Sequence, residues 1–246
     1  MELTRFAALF SRPPWRRGLD WPILLFALFG SFGAAVSGST IGALAGSVIW
    51  GAYTPKAVLA MMAGQYAALP VLLLILGLWP PKGRFAAKLG IRPLKRGDLW
   101  AVLIGLAVML LLGEAVTSGW KALLDWAGIA YQEKQDILEV ISRANLPVLF
   151  GMALCTIVGA PVAEEIFFRR VLYGLLRPIG TVRAVLLTSL IFSAIHFFLL
   201  GIPALFLMGL AFHVIYLVRR NLATAMLMHG VMNLFAFAGT LLFPQA

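Results

Sequence analysis

Residues 159–176 read GAPVAEEIFFRRVLYGLL, two glutamates and two arginines inside a stretch otherwise apolar enough to cross a bilayer. What those charges do depends on the solvent around them. Of 246 residues, 61% are hydrophobic and 12% charged, and the mean hydropathy is +0.94. A soluble domain carries roughly twice that charge fraction, whereas crossing a ~30 Å hydrocarbon core takes about 20 apolar residues per helix. Several such runs are present, so the sequence predicts an integral membrane protein. The net charge of +10 is spread between the apolar runs, not gathered in one stripe. That is a membrane-topology pattern, and it argues against nucleic acid as a partner. The single cysteine, Cys155, excludes an intramolecular disulfide framework and a multi-cysteine metal site, and reads as packing.

Length and flanks place spans near 22–50, 57–79, 99–117, 147–176, 183–200, 204–218 and 222–242. The expected fold is an all-α polytopic transmembrane bundle of about seven spans, since an open chain in lipid satisfies its backbone groups only as helices. Residues 1–146 are read as N-terminal membrane helices and loops, and 147–246 as the core that carries the chemistry. Arg5, Arg12, Arg16 and Arg17 precede the first run and make it look like an uncleaved signal anchor, the lesser alternative being a signal peptide cleaved near the small residues Ala34, Ala35 and Ser37. These arginines, the loop with Lys82, Arg84, Lys88, Arg92, Lys95 and Arg96, and the turns at Arg177/Arg183 and Arg219/Arg220 fall on one side. That side is expected to be cytoplasmic, and an odd number of spans puts the C-terminus opposite. The acidic connection 118–146 shows a weak amphipathic period in AYQEKQDILEVISRANLP, which suggests an interfacial helix. Gly38, Gly42 and Gly46 form a face that another helix of the same chain can approach closely.

Three acidic residues, Glu114, Glu164 and Glu165, fall inside spans. An ionisable group at a helix centre costs about 2.5–3.5 kcal/mol on insertion scales, which makes it a functional candidate. Glu114 is followed by Thr117 and Ser118 and reads as a boundary residue. Glu165 and Arg169 are four apart and can pair, while Glu164 points about 100° away and is free to face a cavity walled by Phe167 and Phe168. The plainer alternative has both glutamates holding helices together through Arg169 and Arg170. Phe192 with His196, and His229 with Asn233, repeat the four-residue spacing. His213 lacks a comparable polar partner and reads as packing. Counted from the span boundaries, Glu164 lies mid-span and His196 nearer the outer face.

EEIFFR at 164–169, FSAIH at 192–196 and HGVMN at 229–233 stand in that order on successive apolar segments. This ordered triplet resembles the CPBP intramembrane endopeptidases, a family that includes CAAX prenyl proteases and bacteriocin-processing proteins, over roughly 147–242. Arg170 departs from the glycine common there. The resemblance implies that Glu164 and His196 hold and activate a water and that His229 and Asn233 stabilise the oxyanion, with Glu165, Arg169 and Phe192 in support. It implies no metal and no cofactor, and a membrane-associated protein or peptide as substrate. Such a division is chemically coherent, because burial makes a carboxylate a useful base near neutral pH and preorganised donors contribute about 3 kcal/mol each in a dry site. Glutamate with two histidines is also a zinc ligand set, although no HExxH lies on one helix. A non-catalytic immunity or scaffold protein would have no reason to keep all four reactive residues. A proton-coupled transporter would show an internal repeat, and none is seen.

Overall fold

The computed structural model describes residues 21–52, 54–75, 86, 89–133, 139–141 and 143–242. The N-terminal arginines, Lys82, Arg84, Lys88, Lys134 and Asp136, on which part of the orientation argument rests, lie outside the described residues. Helices run in the order α1 (Trp21–Trp50), α2 (Pro55–Ile75), α3 (Arg96–Trp126), α4 (Leu146–Ile179), α5 (Thr181–Ala194), α6 (Ile202–Arg219) and α7 (Leu222–Leu242). There is no strand among the described residues. The protein is a helical membrane bundle, and five segments are long and apolar enough to cross: Gly33–Trp50, α3, α4, Leu199–Arg219 and α7.

The predicted span 183–200 is corrected. Helix α5 has 14 residues, about 21 Å at 1.5 Å per residue, too short to cross a bilayer by itself. It stops at Ala194 because the chain turns left-handed at Phe197, where φ is 49°. Pro203, in the first turn of α6, has no N–H to continue a helix from the residues before it. His196 therefore sits in the turn beyond α5 and not within a span. Gly180, at φ 106°, makes the sharp turn between α4 and α5, and Glu164 and His196 stand at equal sequence distances on either side of it.

The glycine face of α1 packs inside the chain, against α2. A Cβ added at Gly38 would lie 2.3 Å from the Gly64 carbonyl oxygen, and one at Gly42 would lie 2.1 Å from that of Ala60. At one end of the bundle Asp98 is buried and ties three elements together. It accepts from Arg219 Nε at 2.8 Å, from Thr224 Oγ1 at 3.0 Å and from the Lys95 amide at 2.8 Å. Asn221 Oδ1 accepts the Arg92 amide beside it. Segments 90–98 and 219–222 thus share an end, as their basic residues suggested. At the other end Trp120 Nε1 donates to the Leu199 carbonyl at 2.9 Å. In the connection 118–146 the chain is non-helical at 129–133 and helical at 139–141, while 134–138 and 142 lie outside the described residues. Glu114 accepts from the Ser118 hydroxyl on an exposed part of α3, and the helix continues past it to Trp126.

Candidate active site

Helix α4 is not wound evenly. Cys155–Gly159 and Ile166–Leu172 are π-helical, with i→i+5 bonds closed by Ala160 N–H to Cys155 O and by Tyr173 N–H to Phe168 O. Pro161 accounts for the first of these turns, since it has no N–H to donate and its ring crowds the carbonyl four residues back. The Thr156 carbonyl consequently loses both helical partners: Ala160 bonds Cys155 instead, and the residue five on is Pro161. Asn233 fills the vacancy, its Nδ2 donating to Thr156 O at 2.8 Å. The neighbouring Ile157 carbonyl rests against Gly230, where an added Cβ would lie 2.7 Å from its oxygen. A proline in α4 and a glycine in α7 thus let the two helices approach where the site is built.

On the next turn Glu165 and Arg169 form the ion pair that their spacing predicts, Arg169 Nε to Glu165 Oε2 at 3.0 Å, with both side chains 0% exposed. The guanidinium is walled by Phe168, Phe192 and Phe212, 5.0–5.6 Å from the three ring centroids. It also donates to the Gly209 carbonyl on α6 at 3.3 Å. The other carboxylate oxygen of Glu165 accepts from Nδ1 of His229 at 2.8 Å. The His229 ring is stacked on Phe212 at 4.7 Å and 17°, and it meets the edge of Phe192 at 5.9 Å.

A carboxylate only accepts, so Nδ1 of His229 carries the proton. In the neutral ring Nε2 is then an acceptor. That nitrogen faces Glu164 Oε2 at 3.8 Å, and Glu164 Oε2 is buried with no hydrogen-bond partner. Two acceptors across a gap of this width form a slot for a molecule with two O–H groups to give. His196 joins from the end of α5, its ring 4.9 Å from Phe192 and its Nδ1–H donating to the Phe192 carbonyl at 2.7 Å. Its Nε2 is likewise left as an acceptor in the neutral ring. Phe192 therefore lies between the two histidines. Among the described residues no three His, Cys, Asp or Glu side chains are grouped to hold a metal ion.

The reading of His213 is corrected. It is fully buried, and its Nδ1–H donates to the Gly209 carbonyl at 3.0 Å. Its Nε2 lies 3.0 Å from the Thr188 hydroxyl. The Gly209 carbonyl is also a partner of Arg169, so His213 extends the same buried network into α5. Periodicity along α6 could not show this, because both partners come from the backbone or from another helix. Cys155 is half-buried and packs in the apolar cluster with Met152 and Phe237.

Residues 146–235 match the family model described as type II CAAX prenyl endopeptidase Rce1-like. The match covers less than half of the chain, and over that part the protein is similar to this protease family. The long apolar helices mark it as an integral membrane protein. Comparisons with curated proteins and with solved structures return no match. The Rce1-like segment contains all three motifs, helices α4 to α6 and α7 as far as residue 235, and it excludes α1, α2 and α3. Within it, motif spacing leaves out two features that the geometry supplies. One is the bond from Glu165 to His229, formed across 64 positions. The other is the carbonyl of Thr156, for which Pro161 five residues later was the readable signal.

Proposed function

We propose that the protein is an intramembrane endopeptidase that hydrolyses a peptide bond of a membrane-associated protein by a glutamate-activated water. The observation that carries this reading is Glu164: a buried carboxylate oxygen without a partner, 3.8 Å from a histidine nitrogen that Glu165 leaves as an acceptor. Water in that slot gives its O–H groups to acceptors and turns a lone pair toward an incoming carbonyl carbon. As the C–O bond forms, its proton passes to Glu164 and negative charge moves to the carbonyl oxygen. Collapse of the tetrahedral adduct breaks the C–N bond, and Glu164 returns the proton to the departing amine.

When His229 Nε2 is protonated, the water's second O–H goes to His196 Nε2 at the end of α5, which orients it. His229 and Asn233 serve the oxyanion. Asn233 has one N–H committed to Thr156 and a second to offer, and His229 donates from Nε2 once that nitrogen has taken up a proton. The end with the basic loops is the cytoplasmic one in this reading, with the C-terminus on the opposite side. The deciding experiment compares the unsubstituted protein with Glu164→Gln in liposomes, using a quenched fluorogenic peptide with a prenylated CAAX-type C-terminus. Cleavage should disappear while folded yield stays the same, and full activity in the variant would refute the glutamate mechanism.

A further inference from the structure

Helix α2 lies outside the Rce1-like segment, yet it packs on both Cys155–Gly159 and Ala160–Glu165 of α4. The residue it presents there is Tyr66. Its ring lies over Gly159, where an added Cβ would sit 3.1 Å from Tyr66 Cδ2, and it is partly buried against the cluster that holds Met62, Met152 and Phe237. Gly159 lies between Thr156, whose carbonyl Asn233 holds, and Glu164, so the ring packs on the stretch of α4 that carries the site. Glycine at 159 gives the ring room against α4, and any side chain there would press on it.

An inventory of donors shows what the site lacks. An oxyanion in a dry site needs N–H or O–H groups aimed at it. Nδ1–H of His229 goes to Glu165, Nδ1–H of His196 goes to the Phe192 carbonyl, and one Asn233 N–H goes to Thr156. Arg169 is directed at Glu165 and the Gly209 carbonyl. Until His229 takes up a proton at Nε2, this leaves a single N–H of Asn233 for the developing charge. None of these bonds uses the Tyr66 hydroxyl. We infer that Tyr66 is a further catalytic residue, its O–H donating to the carbonyl oxygen of the scissile bond as negative charge develops there. The inference rests on the reading of Glu164 as the base. Its consequence is that the N-terminal helix pair completes the active site in addition to lying in the membrane.

The test uses the full chain in liposomes and the same fluorogenic prenylated peptide, with Tyr66→Phe, Tyr66→Leu and Glu164→Gln measured together and kcat expressed per folded molecule. Tyr66→Phe keeps the ring over Gly159 and removes only the hydroxyl. It should retain folded yield and keep KM within about twofold while kcat falls by roughly a hundredfold, the usual effect of losing one oxyanion donor. Tyr66→Leu should lose yield as well, so that phenylalanine rescues the packing and only tyrosine restores turnover. If Glu164→Gln is inactive and Tyr66→Phe turns over within twofold of the unsubstituted protein, the role of Tyr66 is overturned and the base assignment stands. If Glu164→Gln is active, the base assignment falls and the inference falls with it.

Discussion

Glu165 divides its carboxylate between two helices, one oxygen 2.8 Å from His229 Nδ1 on α7 and the other 3.0 Å from Arg169 Nε on its own helix. From the i, i+4 spacing alone, Glu165→Gln and Arg169→Gln should behave alike, each stranding one charge of a buried pair. The bond to His229 separates them. Both substitutions should lower folded yield, since breaking a fully buried pair from one side costs about 3–5 kcal/mol. Glu165→Gln should in addition lower kcat per folded molecule, because it removes the anion that orients His229. Yield and turnover measured on the two variants distinguish these effects, and strictly additive losses in a double-mutant cycle would show that the pair is uncoupled.

Asn233→Ala should reduce kcat by roughly a hundredfold with a smaller effect on KM, as expected for a donor used mainly in the transition state. Some loss of thermal stability should accompany it, because the Thr156 carbonyl, already without a helical donor, then loses its side-chain partner. Steady-state kinetics together with a thermal unfolding profile in detergent checks both parts.

Gly230→Ala tests the approach of α7 to α4. Its Cβ would lie 2.7 Å from the Ile157 carbonyl oxygen, a contact that only a backbone shift relieves. Overpacking of this kind costs typically 1–3 kcal/mol. Because His229 is the preceding residue, the shift should also carry its ring away from Glu164, and activity should fall further than stability does. Turnover that survives unchanged in a destabilised variant would show that the 3.8 Å spacing of Glu164 and His229 is not critical.

Metal content separates the glutamate mechanism from a zinc one. Active enzyme should purify without a stoichiometric metal, and a chelator titrated against cleavage should leave the rate unchanged. Close to one equivalent of zinc, with activity lost on chelation and restored by added zinc, would instead assign Glu164, His196 and His229 as ligands.

The sequence by itself determined the solvent of this protein and the residue types at its candidate site. Apolar runs of bilayer length call for helices, intramembrane charges call for partners, and four-residue spacings put Glu165 beside Arg169 and Phe192 beside His196 without any knowledge of the fold. These are properties of one segment at a time, which is why they are legible. Helix boundaries were less so. The end of α5 at Ala194 depends on a left-handed turn at Phe197, and hydropathy does not register a turn taken within an apolar run. What joins the segments was decided by tertiary structure alone. The π-turn before Pro161 freed the Thr156 carbonyl for Asn233, and Gly230 let α7 come close enough for His229 to reach Glu165. Tyr66 meets Gly159 of α4 from a helix that no motif includes. Periodicity fixes which face of a helix a residue occupies, but the partner across that face is set by packing between helices far apart in the chain, where a carbonyl freed on one meets a donor carried by another.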